Sequence, residues 1–110
     1  MKTYNKGYVF EQAVKSKLET DGWMVIRSAG SKKPDLIAAR NKKIIIIECK
    51  STKQDIIYFD EKEVKNLKKT ASEFGAECLF AVKKNHLKNW FLVGLEALEK
   101  TKNKFKILLD

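Results

Sequence analysis

The stretch PDLIAARNKKIIIIECK, residues 34–50, decides how this chain folds. It holds two apolar runs, Leu36 to Ala39 and Ile44 to Cys49, separated by Arg40-Asn41-Lys42-Lys43. Four consecutive isoleucines, Ile44 to Ile47, show no alternation of polar and apolar residues. That is the pattern of a strand buried on both faces, at the centre of a sheet. If the hairpin loop centres between Asn41 and Lys42, Arg40 faces Lys43 and Asp35 falls opposite Glu48. Directly opposed residues of antiparallel strands have Cβ atoms about 4.5–5.5 Å apart on one face. Lys50, two residues beyond Glu48, leaves from the same face. A slip of one residue would send Glu48 to the other side, so the reading rests on this register.

Opposed carboxylates beside a buried strand repel, so a cation is expected between them: a divalent metal, or the Lys50 ammonium. Oxygen-only ligation suits Mg²⁺ or Mn²⁺ rather than zinc. His86 is the only histidine and reads as a loop residue. Cys49 and Cys78 sit in apolar segments as free buried thiols, without a Cys-x-x-Cys pair. A metal beside a lysine suits phosphodiester hydrolysis, with the ion activating water and the ammonium stabilising the transition state. An Asp with Glu-x-Lys is a common surface pattern. Glu48 stands out because it follows the isoleucine run directly, where a solvated acid is not expected.

Outward from this hairpin, Gly7 to Asp21 reads as an amphipathic helix with Val9, Phe10, Val14 and Leu18 on its apolar face and Gly22 closing it. Glu11 lies on the side of that helix facing the protein; by position alone it is an acid favouring the helix macrodipole. Trp23 to Arg27 is strand-like, and residues 28–34 form a loop. Ile56 to Phe59 leads to a second helix, with Asp60 as cap and Glu63 as its capping-box partner. Its stripe is Val64, Leu67, Ala71 and Phe74, and Gly75 ends it. Strands follow at Glu77 to Val82 and Trp90 to Val93, then a short helix near Leu95 to Lys100 and a strand at Phe105 to Leu109. The sum is an α/β fold, a mixed sheet with helices packed on it, in one domain over residues 1–110.

A formal net charge of +9 points to a polyanionic partner, nucleic acid before an anionic membrane surface. The same lysine content also suits a soluble protein of a heat-adapted organism. Neither helix shows the one-sided lysine and aromatic arrangement of a membrane-surface binder. No apolar stretch reaches bilayer length and no signal-peptide core opens the chain, so the expected setting is intracellular, with the DNA.

Pro34-Asp35 with Glu48-Cys49-Lys50 resembles the PD-(D/E)xK motif of restriction-endonuclease-like nucleases. More closely, the chain is similar to the archaeal-type Holliday-junction resolvases. The matching pieces are Lys6-Gly7 with Glu11, "VIRSAGSKKPDLIA" at 25–38, "IIIIECKSTK" at 44–53, Tyr58, "EFGAE" at 73–77 and "FAVK" at 80–83. The resemblance implies a restriction-endonuclease-like core and a homodimeric, Mg²⁺-dependent endonuclease (Mn²⁺ substituting) that cuts paired strands of four-way junction DNA. No small-molecule substrate is implied. It assigns Asp35 and Glu48 as metal ligands, Glu11 as a further catalytic and metal-binding acid, and Lys50 as the catalytic lysine. Arg27 and either Ser28 or Ser31 are implied near the scissile phosphate. Lys2, Lys6, Lys32, Lys33 and Lys53 are expected around the acids, tracking phosphates, while Lys62, Lys65, Lys68 and Lys69 read as a solvated helix face. Gln12 stands where the family often has a basic residue, and the segment after Val93 does not match. Two alternatives remain: a nuclease of the same fold acting on duplex or flapped DNA, and a non-catalytic basic DNA-binding protein.

Overall fold

A computed structural model describes residues 6–29, 33–85 and 88–109. The hairpin of β2 (Leu36–Arg40) and β3 (Lys43–Thr52) forms in the expected register, from Leu36 opposite Ile47 to Arg40 opposite Lys43. Asn41 and Lys42 both take positive φ, 50° and 69°. That is the backbone of a two-residue type I′ loop, whose twist matches that of the flanking strands.

Around this hairpin lie α1 (Lys6–Thr20), β1 (Met24–Arg27), β4 (Ile56–Asp60), α2 (Glu61–Phe74), β5 (Glu77–Lys84) and β6 (Trp90–Gly94). A 3₁₀ turn at Leu95–Ala97, β7 (Glu99–Lys100) and β8 (Lys104–Leu108) complete the described chain. The main sheet has the order β1-β2-β3-β5-β6, with β3 at its centre. β3 and β5 are parallel and the other neighbours antiparallel, so the sheet is mixed.

The isoleucine run shows why β3 must be central. Ile45 and Ile47 point into one core layer with Phe10, Val14 and Leu18 of α1. Ile46 points the opposite way, into a layer with Val64, Leu67 and Ala71 of α2. Both faces of the strand are therefore covered, as a run without alternation requires.

Several expectations are corrected. Val9 is 44% exposed, because one step from Phe10 turns it about 100° off the buried stripe. Ile56 to Phe59 belongs to a strand, and with β8 and β7 it builds a second sheet, β4-β8-β7, where one sheet was expected. Ile57 and Phe59 of β4 and Ile107 of β8 are buried in the α2 layer, so this small sheet closes the core beside that helix. The region expected to be helical to Lys100 is a single 3₁₀ turn followed by β7. Asp60 occupies the N-cap of α2 but makes no side-chain capping bond. Its Oδ1 accepts instead from Lys104 Nζ of β8 at 2.7 Å, which lowers the Asp60 pKa. Gly75 ends α2 in the left-handed conformation as expected, while Phe74 is half-exposed.

Candidate active site

Strand alternation places the site. On β3, Glu48 and Lys50 share the parity of Ile46 and emerge on the α2 side, while Cys49 shares that of Ile47 and packs against the α1 layer. Asp35 stands one residue before β2, where the register continues to Glu48. Its Oδ2 accepts a hydrogen bond from the Cys49 backbone N–H at 2.8 Å, which fixes the carboxylate against β3. Asp35 and Glu48 are near enough that the charge of the first raises the pKa of the second.

Burial dominates the electrostatics. It pushes the Asp35 carboxyl up to about 6; the Cys49 N–H opposes this, and the neighbouring Glu11 adds to it. Glu48 is pushed up to about 8, again chiefly by burial, then by Asp35 and Glu63, with Lys50 opposing. Glu48 Oε1 is buried and has no hydrogen-bond partner among the described residues. A buried carboxylate oxygen without a partner is costly, on the order of 1–3 kcal/mol or more for a charged group. Two adjacent half-buried carboxyls with raised pKa values, one carrying a buried oxygen, are a hard-oxygen donor set that fits a divalent cation. Among the described residues no three His, Cys, Asp or Glu side chains converge as a ready-made metal cluster. Asp35 and Glu48 are the carboxylates that would hold such an ion.

Glu11 lies beyond the first turn of α1, which carries no acid. The macrodipole acts within the first turn, so that reading of Glu11 falls away. Its Oε1 accepts instead from Arg27 Nε at 2.9 Å, and the Arg27 guanidinium lies 4.8 Å from the Tyr8 ring centroid. Glu11 thus joins the site through Asp35 on one side and Arg27 on the other. Ser28 is half-buried, and its backbone N–H donates to the Asp35 carbonyl at 2.9 Å, tying the loop to the site.

Lys50 holds a partner that sequence reading missed. Its Nζ lies 3.4 Å from Glu63 Oε2, on the first turn of α2, and 5.2 Å from the centroid of the Phe59 ring. Glu63 had an apparent local role in the capping box, and thirteen residues separate it from Lys50. No periodicity joins two residues on different elements, so nothing in the sequence marks the pair.

Lys33, Glu48, Lys50, Lys62 and Glu63 are among the residues lining a cavity of about 440 Å³. Lys50 also borders a second cavity, of about 570 Å³, with Thr52, Gln54 and Tyr58. The ammonium-bearing side chain therefore stands between two concavities. Lys53 is exposed in the turn after β3, and Lys65, Lys68 and Lys69 are exposed on α2. Ser31, Lys32, Lys2 and His86 lie outside the described residues, as does the side chain of Lys6. Among the described residues no helix is long and apolar enough to cross a membrane.

A family model described as archaeal Holliday junction resolvase (Hjc) matches residues 2–110. The chain is 40% identical over 82 residues to the crossover junction endodeoxyribonuclease Hjc of Methanocaldococcus jannaschii, covering 74% of this chain and 62% of that protein. The match therefore spans less than two thirds of that relative's length. To the Archaeoglobus fulgidus Hjc it is 34% identical over 108 residues, covering 94% of this chain and 79% of that one. The solved structure of A. fulgidus Hjc, a Holliday junction resolvase, superposes with a TM-score of 0.86 at 32% identity, covering 94% of this chain and 84% of that chain. A bacterial homing endonuclease shares the fold alone, at 14% identity and a TM-score of 0.62, covering 94% of this chain and 72% of that one. The family model over residues 2–110, together with the likeness to A. fulgidus Hjc over 94% of the chain, places this chain in the archaeal Holliday junction resolvase (Hjc) family.

Proposed function

We propose that this chain is a structure-selective endonuclease that resolves four-way junction DNA by divalent-metal-dependent phosphodiester hydrolysis, acting as a homodimer. The observation that carries the reading is the placement of Asp35 opposite Glu48, one step beyond the last pair of the β2–β3 register, with Lys50 on the same face and one Glu48 oxygen without a partner among the described residues.

Asp35 and Glu48 would hold the ion, Mg²⁺ in the first place and Mn²⁺ as a substitute, with Glu11 behind Asp35. When bound, such an ion supplies charge neutralisation at the phosphate and a lowered pKa for a bound water. The protein's own contribution is geometric. The Cys49 N–H orients Asp35, and the Arg27–Glu11 pair supports Asp35 from the α1 side. The Lys50 ammonium sets a positive charge where negative charge grows on the phosphate as the P–O bond breaks. Arg27, Lys33 and Lys53, with Lys6, Lys32 and Ser28 or Ser31, would hold the flanking backbone. Phosphate contacts carry no base readout, so selectivity for a junction rests on shape read by two linked copies. Two symmetric cuts call for a two-fold arrangement of the chains.

The test is a cleavage panel of junction, duplex, flap and nicked DNA, with and without Mg²⁺, for the wild type, Asp35→Asn and Glu48→Gln. Junction cleavage requiring Mg²⁺ is expected in the wild type. Both variants should lose cleavage by at least about a thousandfold while binding the junction nearly as before. Magnesium-dependent cutting retained in either variant counts against the site, and equal rates on all four substrates count against junction selectivity.

A further inference from the structure

We propose that Glu63 is a positioning residue for Lys50, holding the ammonium against the Phe59 ring and away from the Asp35–Glu48 pair. This inference rests on the reading of Lys50 as the catalytic lysine.

A lysine is a compact charge on a flexible four-carbon stem, so its site needs something to fix where the charge sits. Lys50 also has an unproductive place to go. Its charge acts on both Asp35 and Glu48, and Glu48 offers a buried oxygen with no hydrogen-bond partner among the described residues. An ammonium seated there would neutralise the acid and occupy the space of a metal ion. Glu63 Oε2, 3.4 Å from Nζ on the α2 side, supplies the competing attraction.

The two groups that hold Lys50 are themselves anchored. Phe59 is 1% exposed, and Val64, the residue after Glu63, is buried in the α2 layer. The Lys50 and Glu63 side chains are 37% and 30% exposed, so the pair borders solvent and the adjoining cavity without being flooded. Three N–H donors are available on the ammonium. One directed to Glu63 leaves others for a phosphate oxygen.

The N-cap residue Asp60 makes no side-chain capping bond, and the other first-turn acid of α2, Glu61, pairs with Lys100 at 2.8 Å. Glu63 also adds a repulsive charge beside Glu48. A third acid at a crowded acidic site is unfavourable unless it is balanced; Lys50 lies within ion-pair distance of it, and Lys104 interacts with it through its charge.

The decisive experiment combines single-turnover cleavage of a four-way junction in Mg²⁺ with junction affinity measured without Mg²⁺. The proteins are the wild type, Glu63→Gln, Glu63→Ala, Lys50→Ala and the Lys50→Ala/Glu63→Ala double variant. Glu63→Gln keeps the shape and removes the charge; it should lower the saturated cleavage rate roughly tenfold, a loss of about 1.4 kcal/mol, with junction affinity unchanged. The Lys50 Nζ resonance, assigned by its disappearance in Lys50→Ala, should move in metal-free Glu63→Gln. In the Lys50→Ala background, Glu63→Ala should have no further effect, because a positioning residue has nothing left to position. Equal loss in both backgrounds, an unmoved Nζ resonance, or weakened affinity with an intact rate overturns the proposal. Wild-type cleavage by Lys50→Ala is a different failure, since it removes the catalytic role of Lys50 itself.

Discussion

At Glu48 the protein accepts an energetic cost in order to keep a carboxyl inside. Its pKa rises from an ordinary 4.5 to about 8, and that of Asp35 from 3.8 to about 6. For an acid with a raised folded pKa, the native state binds more protons than the unfolded chain between the two values. Stability therefore falls as pH rises through that window. Metal-free wild type should lose several degrees of Tm between pH 5 and pH 9, at roughly 4–8 °C per kcal/mol for a domain of about this size. Glu48→Gln should flatten the profile, and thermal unfolding across pH checks both. Saturation with Mg²⁺ should raise the alkaline Tm of the wild type and leave that of Glu48→Gln nearly unchanged. Asp35, Glu48 and Lys50 were legible in the sequence because the strand period is two and one hairpin holds all three. Glu63 was not, because its only marker was a local spacing that suited a helix cap.

Among the elements, the β2–β3 hairpin sets the register on which the site depends. Its loop holds Lys42 at a φ of 69°, a conformation that costs a residue with a side chain about 1–2 kcal/mol. Lys42→Gly completes the Asn-Gly pair that a type I′ turn favours. It should stabilise the fold by about 0.5–1 kcal/mol, read from urea unfolding, with cleavage unchanged. β4 shows the opposite situation. The run from Ile56 to Phe59 is short and apolar, and such runs do not announce a strand by themselves. It becomes one by pairing with β8, from Ile56 opposite Leu108 to Asp60 opposite Lys104. The same pairing takes Asp60 out of its capping role, since Lys104 arrives across the sheet as a charged partner.

For the whole molecule, the net charge of +9 would act on a bound junction through counterion release. Each phosphate neutralised contributes about −0.9 to the slope of log affinity against log salt on duplex DNA. Junction binding should therefore weaken steeply with salt. The double variant Lys33→Ala/Lys53→Ala should lower that slope by roughly 2, in a titration across salt concentrations. Its saturated cleavage rate should stay near that of the wild type, since these lysines hold backbone rather than reacting atoms. The acids lie among basic residues, with Lys33, Lys50 and Lys62 lining the same cavity as Glu48.

The sequence by itself determined the hairpin, its register and the central place of the isoleucine strand. Those follow from local rules: a period of two, a two-residue loop and a run with no polar face. It also determined that Asp35, Glu48 and Lys50 leave one face of the sheet, once the register was known. Only the tertiary structure decided that Glu11 answers to Arg27, that Lys50 answers to Glu63, and that β4, β7 and β8 form a second sheet. Each of these joins segments far apart in the chain, and charge pairing and strand pairing between such segments depend on where packing brings them. Local pattern carries no record of that placement.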